Sequence, residues 1–432
     1  MALMKVVVFL AFCHLVLCRN VYKAAVVDIT KGDVSSKNYV SLIEEAAKYD
    51  ADIFILPTQD LSKSSSEFCE NCIDNYDEIT RTISNAVKKA KIYVVAHVYE
   101  KVRCDKAEDL VRSNLVFDRN GEIISVYRKP FTKATCNVTY SNTATFTSDF
   151  GVTFGILMKE DIFLKNVHDI ASQNYIILGT WPHLDKGLSP SHFVSYWAFS
   201  TKSNVISTSN IYGAETKNRE NIIVGELSKT GNEQSQLLST STSTILGDLN
   251  QYSSKVLDLK RSAQGYQDTV CQKGFCCHFH VKTQDAVPRR PGTTYTLKAH
   301  AGVMSFGDRA IGTEICSIST SFSENNTNIV FEKLSISGNF SNENAAQFPV
   351  LRTTSQTAIE GLNFYQRSVL KQNEIKLQVN NRDDLLEFSI FGRDYSKDTV
   401  STIFQNSTDV SVVVIYLLPF KAIGPLQRTN AF

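Results

Sequence analysis

The sequence lacks any excess of charge of one sign. Lys and Arg together number 45 against 44 Asp and Glu, which leaves a formal net charge of +1. No cluster of basic residues forms along the chain, so nothing favours nucleic acid as a partner. Internal repeats are also missing, and the apolar share of 43% is ordinary for a soluble globular protein.

The sequence also lacks an N-terminal apolar run long enough to cross a membrane. The run from Val6 to Cys18 is broken only by His14, whereas a helix that spans roughly 30 Å of hydrocarbon needs about 20 residues. A charged start at Lys5 followed by a short apolar core is typical of a secretory signal peptide. We therefore predict that residues 1–18 are removed and that the protein is secreted, with no transmembrane span; a buried first strand or helix is the alternative.

Cysteine usage fits an oxidising compartment. The chain has 10 cysteines, and an even number remains once Cys13 and Cys18 leave with the signal peptide, which indicates disulfides. Adjacent cysteines do not easily bond to each other. Cys276 and Cys277 should therefore take different partners, one of them Cys271 and the other Cys316. The candidates form two sequence clusters: Cys69, Cys72, Cys104 and Cys136, then Cys271, Cys276, Cys277 and Cys316.

Two histidines close to the adjacent cysteines raise the alternative of a metal site. His278 and His280 would point to one face of a strand. Structural zinc, however, needs ligand pairs at a recognisable spacing, which adjacent cysteines do not supply. Disulfides account for these cysteines better, and we expect neither a metal nor another cofactor.

Asn-X-Ser/Thr sequons agree with secretion. Each sequon is a short pattern and a weak signal alone, but together with a signal peptide they predict an N-glycosylated protein. The acceptor residues are Asn137, Asn325, Asn339 and Asn406.

The first half of the chain alternates strand and helix patterns. Ala24–Ile29 and Asp52–Leu56 are typical of buried strands. Between and after them, apolar residues recur at the spacing of amphipathic helices over 39–46 and 79–90. Further strands are expected at 92–98, at 114–127 around a hairpin, at 152–158 and at 175–178, with a short helix from Asp161. This alternation predicts an α/β layered fold.

A short low-complexity run divides the chain. Residues 239–244 read Ser-Thr-Ser-Thr-Ser-Thr, a composition typical of a linker. Beyond it the helical periodicity fades, and short strand patterns appear at 329–336, 375–379 and 385–391. We therefore predict two domains, an α/β domain over 19–238 and a β-rich domain over 245–432.

Candidate functional residues follow the strands of the first domain, because ligands in open α/β sheets bind at the carboxyl ends of strands. Thr58 follows the strand that ends at Leu56. Lys129 closes the strand after the hairpin, and Lys159 ends the strand that starts at Val152.

Four segments resemble the vanin and biotinidase branch of the nitrilase superfamily. Ser113–Lys129 resembles the segment that carries the superfamily's lysine. Asp149–Ile156, followed by Asp161, resembles the segment around its cysteine. Val270–His278 and Leu385–Tyr395 resemble the C-terminal domain of that branch. The resemblance covers nearly all of the mature chain, and it implies an αββα sandwich followed by a smaller β-rich domain.

The resemblance implies amide hydrolysis by three side chains: a cysteine nucleophile, a glutamate base and a lysine that stabilises the oxyanion. Lys129 matches the lysine position. The glutamate position falls on Thr58 and the cysteine position on Lys159. Two of the three roles are therefore unfilled, and we expect an inactive relative that binds a small ligand or an extracellular protein.

Alternatives to inactivity remain open. Asp60 could act as a displaced base, Cys136 as a new nucleophile, or Lys159 as a Schiff-base nucleophile with a depressed pKa. These would make the protein an amidase of the pantetheinase or biotinidase type. A third possibility is a structural or storage glycoprotein with no pocket function. Related vanins suggest a lipid anchor, but the apolar run Val410–Phe420 is followed by polar residues, which favours free secretion.

Overall fold

A computed structural model gives the structure of the protein and describes residues 19–31, 39–56, 76–104, 107–130, 144–163, 170, 172–179, 190–231, 251–285, 294–306, 309–320, 329–341, 346–354, 361–369 and 372–400. The predicted signal peptide, the Ser/Thr linker and the C-terminal apolar run lie outside these residues. None of the described helices is both long and apolar enough to cross a membrane.

The first half of the described chain contains helices and short strands in alternation. The helices are α1 (Tyr39–Lys48), α2 (Tyr76–Ala90) and α3 (Pro190–Thr201), with 3-10 turns at Ile29–Lys31 and Lys159–Phe163. The strands are β1 (Val21–Val27), β2 (Ile53–Leu56), β3 (Tyr93–Cys104), β4 (Ala107–Phe117), β5 (Ile123–Pro130), β6 (Ala144–Thr147), β7 (Thr153–Met158), β8 (Asn174–Leu178), β9 (Asn204–Ser207), β10 (Ile211–Tyr212), β11 (Thr216–Asn218) and β12 (Ile222–Ser228).

Within the described residues these strands form two sheets that face each other. One has the order β11-β12-β1-β2-β3-β4-β5 and the other β10-β9-β8-β7-β6. Strand β2 lies parallel to β1 and β3 and is buried along its whole length, as expected where both faces of a sheet are covered. Apolar side chains from both sheets, including Val26, Val95, Phe154 and Ile176, pack between them.

Helices cover both outer faces, which completes an αββα sandwich. The apolar stripes of α1 and α2, including Leu42, Ile43 and Val87, pack against the first sheet. On the second sheet lies α3, whose Phe193 and Trp197 are buried in a further apolar cluster. The layered α/β fold expected from the sequence is therefore confirmed.

In its described residues, the second half is a sandwich of two antiparallel sheets with one short helix, α4 (Leu259–Ser262), and a 3-10 turn at Tyr395–Lys397. Its strands are β13 (Ser253–Val256), β14 (Tyr266–Gln272), β15 (Phe275–Thr283), β16 (Tyr295–Phe306), β17 (Arg309–Thr320), β18 (Phe331–Ser341), β19 (Gln347–Thr353), β20 (Asn363–Val369), β21 (Gln372–Arg382), β22 (Leu385–Arg393) and β23 (Thr399–Val400). The described strands have the orders β13-β16-β17-β22-β19, with β23 beside β17, and β14-β15-β18-β21-β20.

Two disulfides confirm the predicted pairing of the adjacent cysteines. Cys276 bonds to Cys271 and closes the β14–β15 hairpin. Cys277 bonds to Cys316 and joins β15 to β17, and thereby one sheet to the other. Neighbours on a strand point to opposite faces, so the adjacent cysteines reach different partners. Cys69, Cys72 and Cys136 lie outside the described residues, and Cys104 is placed only as the end of β3.

The two sandwiches pack through aromatic side chains on α3. The ring of Phe193 lies 5.5 Å from the rings of both Phe348 and Phe391 in the second sandwich. The Tyr196 hydroxyl donates a hydrogen bond of 2.8 Å to the Leu351 carbonyl. One continuous apolar cluster therefore runs through α3 and the second sandwich.

Most expected elements are present, and one is corrected. The strands β18, β21 and β22 extend beyond the predicted segments. The short helix expected from Asp161 is a 3-10 turn that begins at Lys159, so Lys159 opens the turn and Met158 ends the strand. The Met158 amide donates a 2.7 Å hydrogen bond to the Asp161 carboxylate, which bends the chain two residues earlier than predicted.

Candidate functional site

Lys129 and Lys159 come from different sheets of the first sandwich. Lys129 is the penultimate residue of β5, and Lys159 follows the last residue of β7. The 3-10 turn Lys159–Phe163, called here the Lys159 turn, carries Glu160 and Asp161 into the space between the sheets. The turn and the end of β5 therefore meet at one place.

Asp161 is the side chain that joins them. Its carboxylate forms an ion pair with the Lys129 ammonium and accepts a 2.8 Å hydrogen bond from the Tyr127 hydroxyl. The Met158 amide is a third donor. With only 3% of its side chain exposed, Asp161 has the partners that a buried carboxylate needs.

Glu160 forms a second ion pair beside the first. Its carboxylate lies 2.6 Å from the Arg112 guanidinium, and Arg112 is the cross-strand neighbour of Lys129. Burial acts to raise the pKa of Glu160, but the positive charges of Arg112 and Lys129 outweigh it and hold the pKa below its usual value. Glu160 is therefore ionised at neutral pH.

His97 lies beside these ion pairs on the same face of the sheet. We call the set of Lys129, Arg112, Glu160, Asp161, Asn114 and His97 the polar row. Its Nδ1 lies 2.6 Å from the Asn114 side-chain oxygen, and the Asn114 amide donates to the Leu157 carbonyl of the opposite sheet at 3.2 Å. Burial, reinforced by the charges of Arg112 and Lys159, lowers the pKa of His97 to about 4. The imidazole is therefore neutral near pH 7.

A glycine permits the close approach of β8 to this imidazole. Gly179 follows β8 with a φ of +97°, and a Cβ there would lie 3.2 Å from His97 Cε1. A side chain at this position would be both strained and crowded. Glycine thus lets the backbone seal one side of the polar row.

The second sandwich also contacts the Lys159 turn. Arg393, which is fully buried, donates a 2.9 Å hydrogen bond from Nε to the carbonyl of Phe163, the last residue of the turn. The same guanidinium contacts the Gly312 carbonyl and the Asp398 carboxylate. The turn is therefore held from both domains.

The structure describes some of the predicted site residues and not others. Lys129 reaches the Lys159 turn through its ion pair with Asp161, and Asp161 and Glu160 hold the positive charges of Lys129 and Arg112. That Lys129 and Lys159 act in one site stays a prediction. Thr58, Asp60 and Cys136 lie outside the described residues, so their roles stay predictions. Leu56, the last residue of β2, pairs with Ala96, one residue before His97, which brings the exit of β2 towards the polar row.

Sequence reasoning missed His97, Arg112, Asn114 and Tyr127. A signal was present, because His97 interrupts the apolar strand pattern of 92–98 and Asn114 opens another. The partners of these polar side chains depend on how the strands pair, which no local pattern specifies.

No group of His, Cys, Asp and Glu within the described chain could hold a metal ion. His278, which we considered as a ligand, lies on the exposed face of β15, and its Nδ1 is 3.0 Å from the Thr269 hydroxyl.

Comparison with known families agrees with this architecture. Residues 35–183 match the family described as carbon-nitrogen hydrolase, which corresponds to the sandwich that holds the polar row. Residues 243–398 match the vanin C-terminal domain. The chain belongs to the vanin-like branch of the nitrilase (carbon–nitrogen hydrolase) superfamily.

Individual relatives are distant. The chain is 24% identical to Vanin-like protein 1 of Drosophila melanogaster over 60% of this chain and 59% of that protein. It is 21% identical to the Pantetheinase of Homo sapiens over 79% of this chain and 75% of that protein. An amidase structure from Nesterenkonia sp. superposes on 49% of this chain and 92% of its own, with 13% identity and a TM-score of 0.35. The chain thus spans less than two thirds of the Drosophila relative.

Proposed function

We propose that this chain is a secreted glycoprotein without amidase activity, whose site near Lys129 binds a small ligand or an extracellular protein. The observation that carries the proposal is the residue at the start of the Lys159 turn. The resemblance assigns that position to a nucleophilic cysteine, and a lysine occupies it. An ammonium has no lone pair with which to attack an amide carbonyl.

The surrounding groups support the same conclusion. The carboxylates of Asp161 and Glu160 each have a cationic partner. A carboxylate held in this way is a weak base, because its negative charge is already stabilised. His97, with a pKa of about 4, is also too weak a base to activate a nucleophile efficiently near pH 7.

Secretion is supported by the two disulfides, since such bonds persist in oxidising compartments. It is also supported by Asn339, a predicted glycan acceptor whose side chain is exposed on β18. Removal of residues 1–18, a linker at 239–244 and domains over 19–238 and 245–432 remain part of the proposal.

Amide hydrolysis by the full-length secreted protein tests this proposal. With pantetheine and biotinyl amides as substrates, we expect no turnover above background. Loss of both nucleophile and base should leave a rate many orders of magnitude below that of an active relative. A thiol-reactive probe should label no residue in a substrate-protected manner.

Two variants sharpen the test. Lys159→Cys alone should remain inactive because the new thiol lacks its base, whereas Thr58→Glu with Lys159→Cys should restore partial turnover. Lys217→Cys, which adds a thiol on the exposed strand β11, is the matched control. Turnover by the unmodified protein that is abolished by changing Cys136 or Asp60 would contradict the proposal and indicate an amidase with a displaced nucleophile.

A further inference from the structure

The five-stranded sheet of the second sandwich has one face that points away from the core. Cross-strand pairing places Thr269, His278, Ser337, Lys376 and Tyr365 in one row across this face. The next row holds Gln267, His280, Ser335, Gln378 and Asn363. Both rows are polar along their length.

The side chains of these rows differ in height. Ser335 and Ser337, on the central strand β18, are short. The imidazoles of His278 and His280 stand on β15 at one side, and the longer Lys376 and Gln378 stand on β21 at the other. Neighbouring strands lie about 4.8 Å apart, so a shallow groove roughly 10 Å wide runs along β18. We call it the β18 groove.

Positive charge collects along this groove. Lys333 stands on β18 two residues from Ser335, with Lys282 and Asn380 as cross-strand neighbours. Lys376 has Ser337 and Tyr365 as its neighbours. Neither lysine faces a carboxylate across the strands. Lys333 is in register with Asn380, which lies four positions along β21 from Lys376. At about 3.3 Å per residue, Lys333 and Lys376 are therefore spaced roughly 13 Å apart along the groove.

The carboxylates on this face have other cations as cross-strand neighbours or ion-pair partners. Glu332 lies 2.6 Å from Lys282, and Glu374 is the cross-strand neighbour of Arg367. Lys333 and Lys376 are therefore left as charges that can attract an anion.

We propose that the β18 groove binds a linear acidic polysaccharide, a chain of sugars that carries sulfate or carboxylate groups. A groove about two strand spacings wide admits one such chain. Ser337 on its floor and the His, Gln and Asn side chains beside it offer donors and acceptors to sugar hydroxyls. Lys333 and Lys376 supply the charge-assisted contacts to the acidic groups. A membrane surface fits less well, because peripheral binding to lipid relies on inserted apolar side chains, whereas the groove is polar.

The imidazole of His280 adds a dependence on pH. Burial, followed by the charges of Lys333 and Lys376, lowers the pKa of His280. A bound anion favours the protonated imidazole, so binding should strengthen as the pH falls below the usual histidine range of about 6.5. One other ion pair lies close to His280. Lys282 stands two residues along β15 on the same face, and its ion-pair partner is Glu332.

Binding to heparin, a sulfated polysaccharide, tests the proposal on the full-length secreted protein. We expect binding to heparin and not to neutral dextran, with tighter binding at about pH 5.5 than at about pH 7.5. Lys333→Gln with Lys376→Gln should weaken binding by about tenfold or more. Lys88→Gln with Lys217→Gln removes the same charge from the first domain and should leave binding within about twofold.

A steric variant separates the groove from general charge attraction. Ser337→Trp fills the groove without changing the net charge, and we expect it to abolish binding while circular dichroism and disulfide mapping match the wild type. Asn339→Gln removes the predicted glycan at the end of the floor and should preserve binding. Equal losses for both lysine pairs, full binding by Ser337→Trp, or preference for phosphatidylserine vesicles over heparin would each overturn the proposal.

Discussion

The two sandwiches of this protein place their charged side chains differently. In the first, the ion pairs of Lys129 with Asp161 and of Arg112 with Glu160 lie between the sheets. In the second, apolar side chains such as Phe279, Ile336 and Phe388 fill the same space, together with the Cys277–Cys316 bridge. Lys333 and Lys376 lie on its outer face.

This difference indicates which interior serves stability and which serves a site. Removing a charge from water costs several kcal/mol per ion, and an ion pair seldom recovers more than that cost. An interior selected for stability alone would use apolar residues, as the space between the two sheets of the second sandwich does. The buried charges of that sandwich include Arg352 on β19 and Glu387 and Arg393 on β22. Glu387 and Arg393 share the strand face of Phe391, which packs on Phe193 of α3 and not between the sheets. We therefore infer that the ion pairs inside the first sandwich belong to a functional site and were not selected for stability.

The largest effect should follow from breaking one interior pair. Arg112→Met leaves the buried Glu160 without its closest cation and should lower the free energy of unfolding by about 3–5 kcal/mol at neutral pH. Because burial then raises the pKa of Glu160, the deficit should shrink as the pH falls towards about 5. Urea unfolding at the two pH values measures both effects.

Two further variants sharpen this result. Arg112→Met with Glu160→Met should recover much of the loss, since no charge is left buried. Lys282→Met, which breaks an exposed pair on the second sandwich, should change stability by no more than about 1 kcal/mol. Equal losses for Arg112→Met and Lys282→Met would show that the two environments do not differ.

The next largest effect should come from the two disulfides, which we expect to contribute unequally to stability. The Cys277–Cys316 bridge spans 39 residues and the Cys271–Cys276 bridge spans 5. A bridge that closes a longer loop restricts the unfolded chain more. Cys277→Ser with Cys316→Ser should therefore lower the free energy of unfolding by about 4 kcal/mol, and Cys271→Ser with Cys276→Ser by about 2 kcal/mol. Thermal unfolding of both double variants measures the contrast. A greater loss from opening the hairpin bridge would contradict this ranking.

The smallest expected effect concerns His97. Its folded pKa of about 4 lies below the ordinary value of 6.5, so the unfolded chain binds a proton first as the pH falls. Its contribution to stability is present above about pH 6.5 and decreases on acidification, by about 2 kcal/mol between pH 7 and pH 5.

His97→Gln should flatten this part of the stability profile, as measured by urea unfolding at intervals of pH. His278→Gln, at an exposed position on β15, is the matched control and should leave the slope unchanged. An unchanged slope in His97→Gln would mean that His97 takes up its proton in the folded state as readily as in the unfolded chain.

Local patterns in the sequence determined much of the fold. The apolar stripes of α1 and α2 and the buried run of β2 specify their own elements, because a face that must be buried repeats with the period of its backbone. The separate partners of Cys276 and Cys277 were predictable from disulfide geometry, since adjacent cysteines do not easily bond to each other. Lys129 and Lys159 were identified from segments that resemble a known family.

Tertiary structure alone decided the contacts of the site. Asp161 binds Lys129 only because β5 and β7, from opposite sheets, end at the same place. His97 finds Asn114 through the register of β3 and β4, and Arg393 reaches the Lys159 turn from 230 residues away in sequence. Such partners depend on strand pairing and layer packing, which are set by the sum of many contacts distant in sequence. The sequence by itself therefore determined which side chains were available, and the packing of the layers decided which of them meet.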